Sequence, residues 1–385
     1  MISFKTSEFI EALRIVGAAK SNEIKALRIA CNEPKDGQEL NWVQLRSSDS
    51  IISAAHLLAK GVTQKEAAVV SATRLAAGVQ GLTTDNIDLE FGDTHLVVKS
   101  GRMNLKLGLA GGSGVPALPD EPALARAKVP ASTLDMLAGF KNYSGGTMKN
   151  SYQQAIFLHT RKGLLTAVGT DGVAMMVGEV EAEIDKPEDL SICLDLGCLM
   201  DVLAGLPRPA ENAQLVIDVI SSGAIFTVGN AARIYCPALD VKFPDYARVL
   251  GELLDGKSEV CFNTETKAIR SVLTRISALS GANRVPTVSL SWQPEEGLVP
   301  QVFIKTDSSH ALAQEVQNYE DYVPAEGSAP GLDGILLDVN RVNRMLGASG
   351  EKARWLLNGV RNVFGIESDI GGARLLHSMR PLSVN

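Results

Sequence analysis

Polar capping residues followed by segments bearing Leu, Ile and Val recur six times along the chain, and each pattern predicts the start of a helix. The predicted starts fall at about Ser7, Ser71, Ser132, Asp195, Asn263 and Asp338. Their spacing of roughly 60 to 75 residues is in the range where internal repeats occur. Because two such units make about 125 residues, the size of an ordinary domain, the pattern predicts three domains of two units each.

Short runs rich in Val, Ile, Leu, Phe and Thr lie between the predicted helices and are separated by turns containing Gly, Asp, Asn or Ser. We predict strands at 87–91, 95–100, 103–107, 155–159, 164–169, 215–219, 224–228 and 302–306. Helices that are followed by consecutive hairpin-linked strands favour antiparallel sheets with helices on one face, which is the α+β class.

Two stretches are predicted to be domain junctions. Residues 108–122 are rich in Gly and Pro, and residues 250–258 follow a Phe-Pro-Asp-Tyr motif and precede the fifth unit. They divide the chain into predicted domains at 1–121, 122–250 and 251–385. The Gly-Gly-Ser-Gly run at 111–114 is interpreted as linker, because a phosphate-binding loop would be followed by Lys-Ser or Lys-Thr and a helix.

Composition indicates a globular protein that lacks a membrane span. The chain has 385 residues and is 45% hydrophobic, which excludes the class of disordered proteins with low hydrophobicity and high net charge. No run of about 18 apolar residues is present to cross a membrane. Residues 1–20 alternate charged and apolar positions, which is not typical of a signal peptide. We therefore expect a cytoplasmic protein with no membrane partner.

Neither a metal site nor an active site is indicated. The five cysteines lack a Cys-x-x-Cys pair, so reduced buried thiols are favoured over zinc ligands, and no cofactor is expected. Asp171 with His159 or His377 is the best available acid/base pair, but no Gly-x-Ser-x-Gly or His-Glu-x-x-His motif accompanies it. The sequence therefore predicts a protein that is not an enzyme and has no catalytic residues.

The net charge of −7 argues against a protein that binds nucleic acid over its whole surface. The charges are unevenly distributed, because the six predicted helical segments are net positive and the remainder is more acidic than the chain as a whole. This distribution favours a ring whose helices face a polyanion and whose strands face solvent. A chance excess of cations on solvated helix faces explains the charges equally well, so both interpretations stay open.

Four short motifs occur in order along the chain: Ser100-Gly101-Arg102, Thr170-Asp171-Gly172, the run Phe-Pro-Asp-Tyr-Ala-Arg-Val-Leu at 243–250, and Ser378-Met379-Arg380. In their order and spacing they resemble the bacterial sliding clamp, the β subunit of the DNA polymerase III holoenzyme. The resemblance runs along the whole chain. It implies the DNA clamp fold, with three duplicated domains, two helices per domain and antiparallel sheets outside. It also implies a head-to-tail homodimer, closed as a ring around duplex DNA.

In that family the ring is a processivity factor that tethers a polymerase to DNA and needs no cofactor. The resemblance therefore implies five partners: duplex DNA, a second copy of the chain, a replicative DNA polymerase subunit, an ATP-dependent clamp loader, and other replication or repair proteins that carry short hydrophobic peptide motifs. Sliding is best served by many weak phosphate contacts without base readout. Candidate DNA-contacting residues on the helices and adjoining loops are Lys20, Lys25, Arg74, Lys141, Lys149, Tyr152, Arg208, Lys267, Arg270 and Arg275.

Two further surfaces follow from the resemblance. The first domain of one protomer would join the third domain of the other, with Leu105 on one side and Ala278 and Leu279 on the other. A hydrophobic pocket between the second and third domains would receive the peptides. Its matching positions are Thr170, Val173, Met175, Pro244, Arg248, Val249, Leu375, His377 and Met379. Aliphatic side chains in the pocket walls can accept a Leu or Phe anchor of a peptide, and Met can adapt to different ligands.

The chain departs from the family pattern in this pocket. The family commonly has His-Arg-Leu after Thr-Asp-Gly, whereas this chain has Val173, Ala174 and Met175. A Met-Pro-Met-Arg pattern near the C-terminus is replaced by His377-Ser378-Met379-Arg380. Loss of an Arg removes a charge and a fork of hydrogen-bond donors. The alternative function is a protein-binding scaffold or decoy that does not encircle DNA and sequesters clamp-binding motifs, an alternative favoured by the sparse cations of some helices.

Overall fold

We describe the chain from a computed structural model. The structure describes residues 1–17, 26–31, 40–48, 51–63, 66–110, 115–143, 150–161, 163–185, 190–207, 213–229, 232–258, 260–279, 286–293, 301–308, 311–318, 320–324, 335–358 and 363–381. Within these ranges the helices are α1 (Thr6–Val16), α2 (Ala72–Val79), α3 (Thr133–Gly139), α4 (Leu196–Gly205), α5 (Tyr246–Leu250), α6 (Thr266–Leu279) and α7 (Val339–Gly347). Short 3-10 helices occur at Phe140–Tyr143, Ser151–Gln154 and Gly251–Asp255.

The strands account for most of the described chain. The strands of the first half are β1 (Ile2–Lys5), β2 (Ala26–Cys31), β3 (Leu40–Ser48), β4 (Ile52–Lys60), β5 (Ala67–Ser71), β6 (Asn86–Phe91), β7 (His95–Ser100), β8 (Met103–Gly108), β9 (Ala125–Pro130), β10 (Ala155–Arg161), β11 (Leu164–Thr170), β12 (Ala174–Glu181), β13 (Glu183–Asp185) and β14 (Leu190–Asp195). Those of the second half are β15 (Gln214–Ile220), β16 (Gly223–Val228), β17 (Ala232–Pro237), β18 (Val260–Glu265), β19 (Thr287–Gln293), β20 (Gln301–Ser308), β21 (Ala311–Asn318), β22 (Glu320–Pro324), β23 (Ile335–Asp338), β24 (Lys352–Asn358), β25 (Val363–Ile370) and β26 (Ala373–Met379). All eight strands predicted from sequence occur.

One pattern of strand pairing is repeated three times. The strand before the first helix of each repeat pairs antiparallel with the strand after the second helix, as seen for β1 with β6, β9 with β15, and β18 with β24. That second strand then begins an antiparallel meander, which is β6–β7–β8, β15–β16–β17 or β24–β25–β26. The α+β class is confirmed. The repeat pattern agrees with the six predicted units, and the domain boundaries stay a prediction.

The second helix of each repeat begins where the sequence predicts, because its capping group is local. Side-chain oxygens of Ser71, Asp195 and Asp338 accept backbone N–H groups at the starts of α2, α4 and α7. The first helices instead begin with a buried threonine: Thr6, Thr133 and Thr266. Neither Lys5 nor Ser132, the residues before α1 and α3, caps its helix through a side-chain hydrogen bond.

One predicted helix start is corrected. Asn263 does not start a helix, because it lies in β18 opposite Arg354, and α6 begins at Thr266. Residues 250–258, which the sequence predicts to be a domain junction, contain the end of α5 and a 3-10 helix. Leu250 and Leu253 in this segment are each 1% exposed, so the segment is packed into a core.

The chain forms two compact units. Unit 1 contains residues 1–131, 160–163 and 182–240. Its sheet has the order β13-β9-β15-β16-β17-β4-β1-β6-β7-β8, and β3, β2 and β5 continue from β4. Helix α1 buries Phe9, Leu13 and Val16 against this sheet and exposes Glu11 and Arg14, as expected of an amphipathic helix.

Unit 2 contains residues 132–159, 164–181 and 241–385, and its main sheet contains the order β10-β11-β12-β26-β25-β24-β18-β22. A second sheet has the order β21-β20-β19-β23. Helix α3 packs on one face of the main sheet, where a Cβ added to Gly178 would come within 2.7 Å of Met136 Sδ. Helix α6 packs against α7.

Candidate functional site

The turn between β11 and β12 is held in one geometry by its own side chains. The two strands pair in register up to Thr170. The Thr170 hydroxyl donates to the carbonyl oxygen of Ala174 at 2.7 Å, and the amide of Gly172 donates to Thr170 Oγ1 at 3.0 Å. Gly172 has a φ of 89°, in the left-handed region that favours glycine. The turn presents Val173, which is 50% exposed.

Helix α5 and the 3-10 helix after it cover a face of the main sheet in unit 2. The Asp245 carboxylate accepts the amide N–H of Arg248 at 3.1 Å and so caps α5. Leu250 points into the core, whereas Val249 is 47% exposed and Arg248 is also exposed. The buried cluster on this face consists of Val168, Met175, Val177, Leu250, Leu253, Cys261, Leu356, Val363 and Leu376.

Partly exposed aromatic side chains border this cluster. Phe157 and Phe243 stack with ring centroids 5.3 Å apart, and Tyr152 meets Phe243 edge-on at 6.4 Å. The ring of Tyr246 lies 6.4 Å from that of Phe157, and its hydroxyl is 2.6 Å from Nε2 of His159. These contacts anchor α5 on the sheet, so the exposed apolar side chain of α5 has a fixed support.

Strand β26 contributes to both faces of the sheet. Leu376 belongs to the buried cluster under α5. Because side chains alternate along a strand, the neighbouring positions face the opposite side. Three residues of the predicted pocket lie on that side and are buried: Leu375, His377 and Met379. The sheet therefore separates them from the surface formed by α5.

His377 is a buried ionisable group on that opposite side. It is 0% exposed and is hydrogen-bonded through Nδ1 to the hydroxyl of Tyr143. Burial lowers the pKa of His377 to about 3, so the ring is neutral at physiological pH. Burial, reinforced by the charge of Asp171, raises the pKa of Tyr143, and Arg344 opposes this shift. Both rings are therefore uncharged members of the core.

The structure brings six of the nine predicted pocket residues to two neighbouring features. Thr170, Val173 and Met175 belong to the β11–β12 hairpin, and Pro244, Arg248 and Val249 belong to α5 and the residue pair before it. The sequence interpretation omitted residues that line the same face: Phe157, Phe243, Tyr246 and Leu376. Two sequence signals could have identified these residues: the alternation of side chains along β26 and the aromatic residues of the 243–250 motif.

Comparison with known proteins concerns the fold. No protein-family model matches the chain, and no curated protein sequence matches it. The DNA polymerase III subunit beta from Pseudomonas aeruginosa superposes with a TM-score of 0.80 at 17% identity, and the match covers 100% of both chains. The DNA polymerase sliding clamp from Bacillus subtilis gives a TM-score of 0.80 at 16% identity and covers 100% of this chain and 99% of its own. The chain has the sliding-clamp fold.

A third match concerns a clamp with a bound peptide. The Helicobacter pylori beta clamp bound to a DNA ligase peptide matches with a TM-score of 0.76 at 18% identity, and the match covers 100% of both chains. The sliding-clamp fold thus extends over the full length of the sequence, as the four short motifs predicted. These superpositions, at identities of 16–18%, show the fold of the chain.

The predicted DNA-contacting residues are placed on several elements of the clamp fold. Four of them fall outside the described residues: Lys20, Lys25, Lys149 and Arg208. Arg74 on α2, Lys141 after α3, and Lys267, Arg270 and Arg275 on α6 are all exposed, and Tyr152 is half-buried. Arg270 Nε donates to Asn343 Oδ1 at 3.2 Å, and Arg275 Nη1 donates to Ser271 Oγ at 2.8 Å. Helix α6 thus exposes three cations within three turns, with no acidic residue between its ends.

The predicted subunit contacts lie on the last strand of the unit 1 sheet order and at the end of helix α6. Leu105 is on β8, the last strand in the order of the unit 1 sheet, and is half-buried. Its side chain packs on Gly78 of α2, because an added Cβ at Gly78 would overlap Leu105 Cδ2. Ala278 is exposed near the end of α6, and Leu279 is the last residue of that helix, with a side chain outside the described part.

The cysteines Cys31, Cys193, Cys198, Cys236 and Cys261 form no disulfide. Burial is the main cause that raises the pKa of the Cys31 thiol to about 11 and that of Cys236 well above its usual value. Among the described residues no group of three His, Cys, Asp or Glu side chains is placed to hold a metal ion. No described helix is both long and apolar enough to cross a membrane.

Proposed function

We propose that this protein is a DNA polymerase processivity factor, a sliding clamp that encircles duplex DNA and tethers a replicative polymerase. The full-length structural match to the Pseudomonas aeruginosa subunit beta, with a TM-score of 0.80, is the observation that carries this proposal. The threefold repetition of strand pairing supports it, because a ring can be built from similar units placed side by side. The domains would be residues 1–121, 122–250 and 251–385.

The ring would be a head-to-tail homodimer in the cytoplasm, loaded by an ATP-dependent clamp loader. It would act without catalytic residues, because processivity then arises from topology. The exposed cations Lys267, Arg270 and Arg275 of α6 support a helix surface that faces phosphates. Weak, salt-sensitive phosphate contacts allow sliding, whereas tight base contacts would oppose it.

Short hydrophobic peptides of the polymerase and of other replication or repair proteins would dock at the surface formed by Val173 and α5. Val173 and Val249 are two of the few large apolar residues that are exposed in the described chain. Each sits on a fixed support, one on a hydrogen-bonded turn and the other on a capped helix. Burial of a Leu or Phe anchor contributes about 1.5–3 kcal/mol, and micromolar binding, which is about −8 kcal/mol, suits partners that must exchange.

Retention on nicked circular DNA tests the ring. The labelled protein is incubated with a matched clamp loader and ATP, separated from free protein at moderate salt, and measured before and after the circle is cut once. Retention on circles that disappears on linearisation is the expected result, because a ring slides off free ends. Absence of retention with a loader that is active on another clamp contradicts the proposal.

The alternative is a scaffold or decoy that binds clamp-binding motifs without encircling DNA. One observation favours it: α4 carries Asp201 and no Lys or Arg, and α3 carries Asp135 and no Lys or Arg. The same DNA experiment separates the two functions when it is run beside a peptide-binding assay. Peptide binding without retention on circles favours the scaffold, and retention that falls with salt favours the clamp.

A further inference from the structure

One carboxylate organises the β11–β12 turn from within. Asp171 Oδ1 accepts the amide N–H groups of Val173 at 2.9 Å and of Ala174 at 2.8 Å. The backbone carbonyl of Asp171 accepts a hydrogen bond from Nε2 of Gln153 at 2.7 Å. Since Asp171 binds the amide of the residue that presents an exposed apolar side chain, the position of its carboxylate decides how Val173 is presented.

The other oxygen of that carboxylate is held by a helix far away in sequence. Arg341 Nη1 on α7 lies 3.2 Å from Asp171 Oδ2, and Arg341 Nε lies 3.2 Å from Asp338 Oδ2. The side chains of Arg341, Asp171 and Asp338 are only 24%, 11% and 13% exposed. An ion pair that is shielded in this way is weakened less by solvent and salt than a surface pair.

Arg341 is itself fixed by the start of α7. Asp338 caps this helix, because its Oδ1 accepts the amide N–H of Arg341 at 3.2 Å, while its Oδ2 accepts the guanidinium of the same residue. The guanidinium therefore reaches Asp171 from a rigid element. Hydrogen bonds and ion pairs therefore link the helix cap, through Arg341 and Asp171, to the amide of Val173.

We propose that Arg341 is a positioning residue for peptide docking, and that it holds the β11–β12 turn through Asp171 so that Val173 is presented in its binding geometry. This inference rests on the peptide binding proposed above. A turn that is ordered before binding loses less conformational freedom on binding, so the ion pair raises affinity without touching the peptide. Neither the Thr-Asp-Gly motif nor the α7 pattern indicates this pairing, because the two residues are 170 positions apart.

Arg344 is the matched control, because it lies one turn further along α7. Its Nη2 is 4.0 Å from Asp171 Oδ2, its side chain is 44% exposed, and its Nη1 donates to the carbonyl of Asn142 at 3.4 Å. It therefore contributes charge near Asp171 without a hydrogen bond to the carboxylate. Replacing either arginine by Met removes one charge and keeps a long aliphatic side chain.

The test measures binding of a fluorescent copy of the DNA ligase peptide that the Helicobacter pylori clamp binds. Wild-type protein is compared with Arg341→Met, Arg341→Lys, Arg344→Met, Asp171→Asn and the double variant Arg341→Met/Asp171→Asn. Hydrogen exchange of the turn amides and thermal unfolding are measured on the same samples. These two readouts separate local release of the turn from general loss of stability.

We expect Arg341→Met to weaken peptide binding about tenfold and to speed amide exchange at Val173 and Ala174, with peptide contacts otherwise unchanged. Arg341→Lys recovers part of the affinity, because it restores the charge without the fork of donors. The double variant binds no more weakly than Arg341→Met, since both changes break the same link. Arg344→Met changes binding by less than about twofold.

Three results overturn the inference, and they differ in what else they overturn. If wild-type protein binds the peptide and Arg341→Met binds it equally well, the positioning role is wrong and the proposed peptide site stands. If wild-type protein does not bind the peptide at all, the positioning role and the proposed peptide site both fail. Equal weakening by Arg341→Met and Arg344→Met assigns the effect to general charge near the turn and also overturns the inference.

Discussion

The hydroxyl of Tyr143 lies 2.6 Å from Nδ1 of His377, and the two rings stack at 14° with centroids 5.9 Å apart. Both residues are buried, and His377 Nε2 has no hydrogen-bond partner among the described residues. The pair connects the 3-10 helix after α3 to the central strand β26 of unit 2. The free energy that this contact contributes therefore measures how well α3 and the 3-10 helix after it pack against the sheet.

The neutral state of His377 predicts a dependence of stability on pH. Its pKa is lowered from 6.5 to about 3 in the folded protein, so below pH 6.5 the unfolded chain binds a proton that the folded chain does not. Stability is therefore lost as pH falls from 6.5 towards 3. We expect about 2 kcal/mol of loss from this group between pH 7.5 and pH 5.0.

Urea unfolding of His377→Leu at these two pH values checks this expectation. The variant should lose less stability between pH 7.5 and pH 5.0 than the wild type does. Leu376→Met, which keeps His377 and conserves volume, is the control and should retain the wild-type difference. An equal pH dependence in His377→Leu and wild type would show that His377 does not cause it.

Removal of the Tyr143 hydroxyl should destabilise the fold by leaving a buried acceptor or donor without a partner. We expect Tyr143→Phe to cost about 1–3 kcal/mol in the free energy of unfolding at pH 7.5. Tyr246→Phe is the comparison, because the hydroxyl of Tyr246 also binds a histidine but is only partly buried. If Tyr143→Phe lowers the free energy of unfolding no more than Tyr246→Phe does, burial of the hydroxyl does not determine the cost of removing it.

The parts of the fold that sequence predicted are those with local causes. Ser71, Asp195 and Asp338 bind amides within three residues, so the start of each helix is visible in a short window. Asn263 carries the same polar signal, but pairing with β24 keeps it in a strand. A single sequence does not show which distant strand competes for a residue.

The sequence signals for the candidate site are local as well. The Thr-Asp-Gly turn and the Phe-Pro-Asp-Tyr motif are short, and the resemblance that they carry grouped residues of the β11–β12 hairpin and of α5 in one predicted pocket. The burial of His377 behind the sheet follows from strand register, which a motif does not contain. The pairing of Arg341 with Asp171 depends on the tertiary fold alone.

Gly172 should tolerate a side chain less well than Gly163 does. It has a φ of 89°, and a Cβ there would overlap Nε2 of Gln153. Gly163, in the preceding turn, has a φ of 80° with nothing within 4 Å of an added Cβ. We expect Gly163→Ala to cost about 1 kcal/mol from backbone strain alone and Gly172→Ala to cost more.

Thermal unfolding of both glycine variants separates strain from overlap. Gly172→Ala should also bind the DNA ligase peptide more weakly than Gly163→Ala, because it displaces the turn that presents Val173. If the two variants have the same stability and the same peptide affinity, the contact between Gly172 and Gln153 does not constrain the turn.

The proposed ring makes Leu279 the position where one polar substitution should open the dimer. Leu279 ends α6 and is placed by resemblance in a dry contact with the strand that carries Leu105. An Asp there would leave a buried charge without a partner, at a cost of at least about 1–3 kcal/mol to association. We expect Leu279→Asp to be monomeric at nanomolar concentration when the wild type is dimeric, as measured by sedimentation or mass photometry.

Leu124→Asp is the control, because Leu124 is 46% exposed and lies outside the predicted interface, so its dimer should persist. An unchanged dimer mass for Leu279→Asp would reject this placement of the interface.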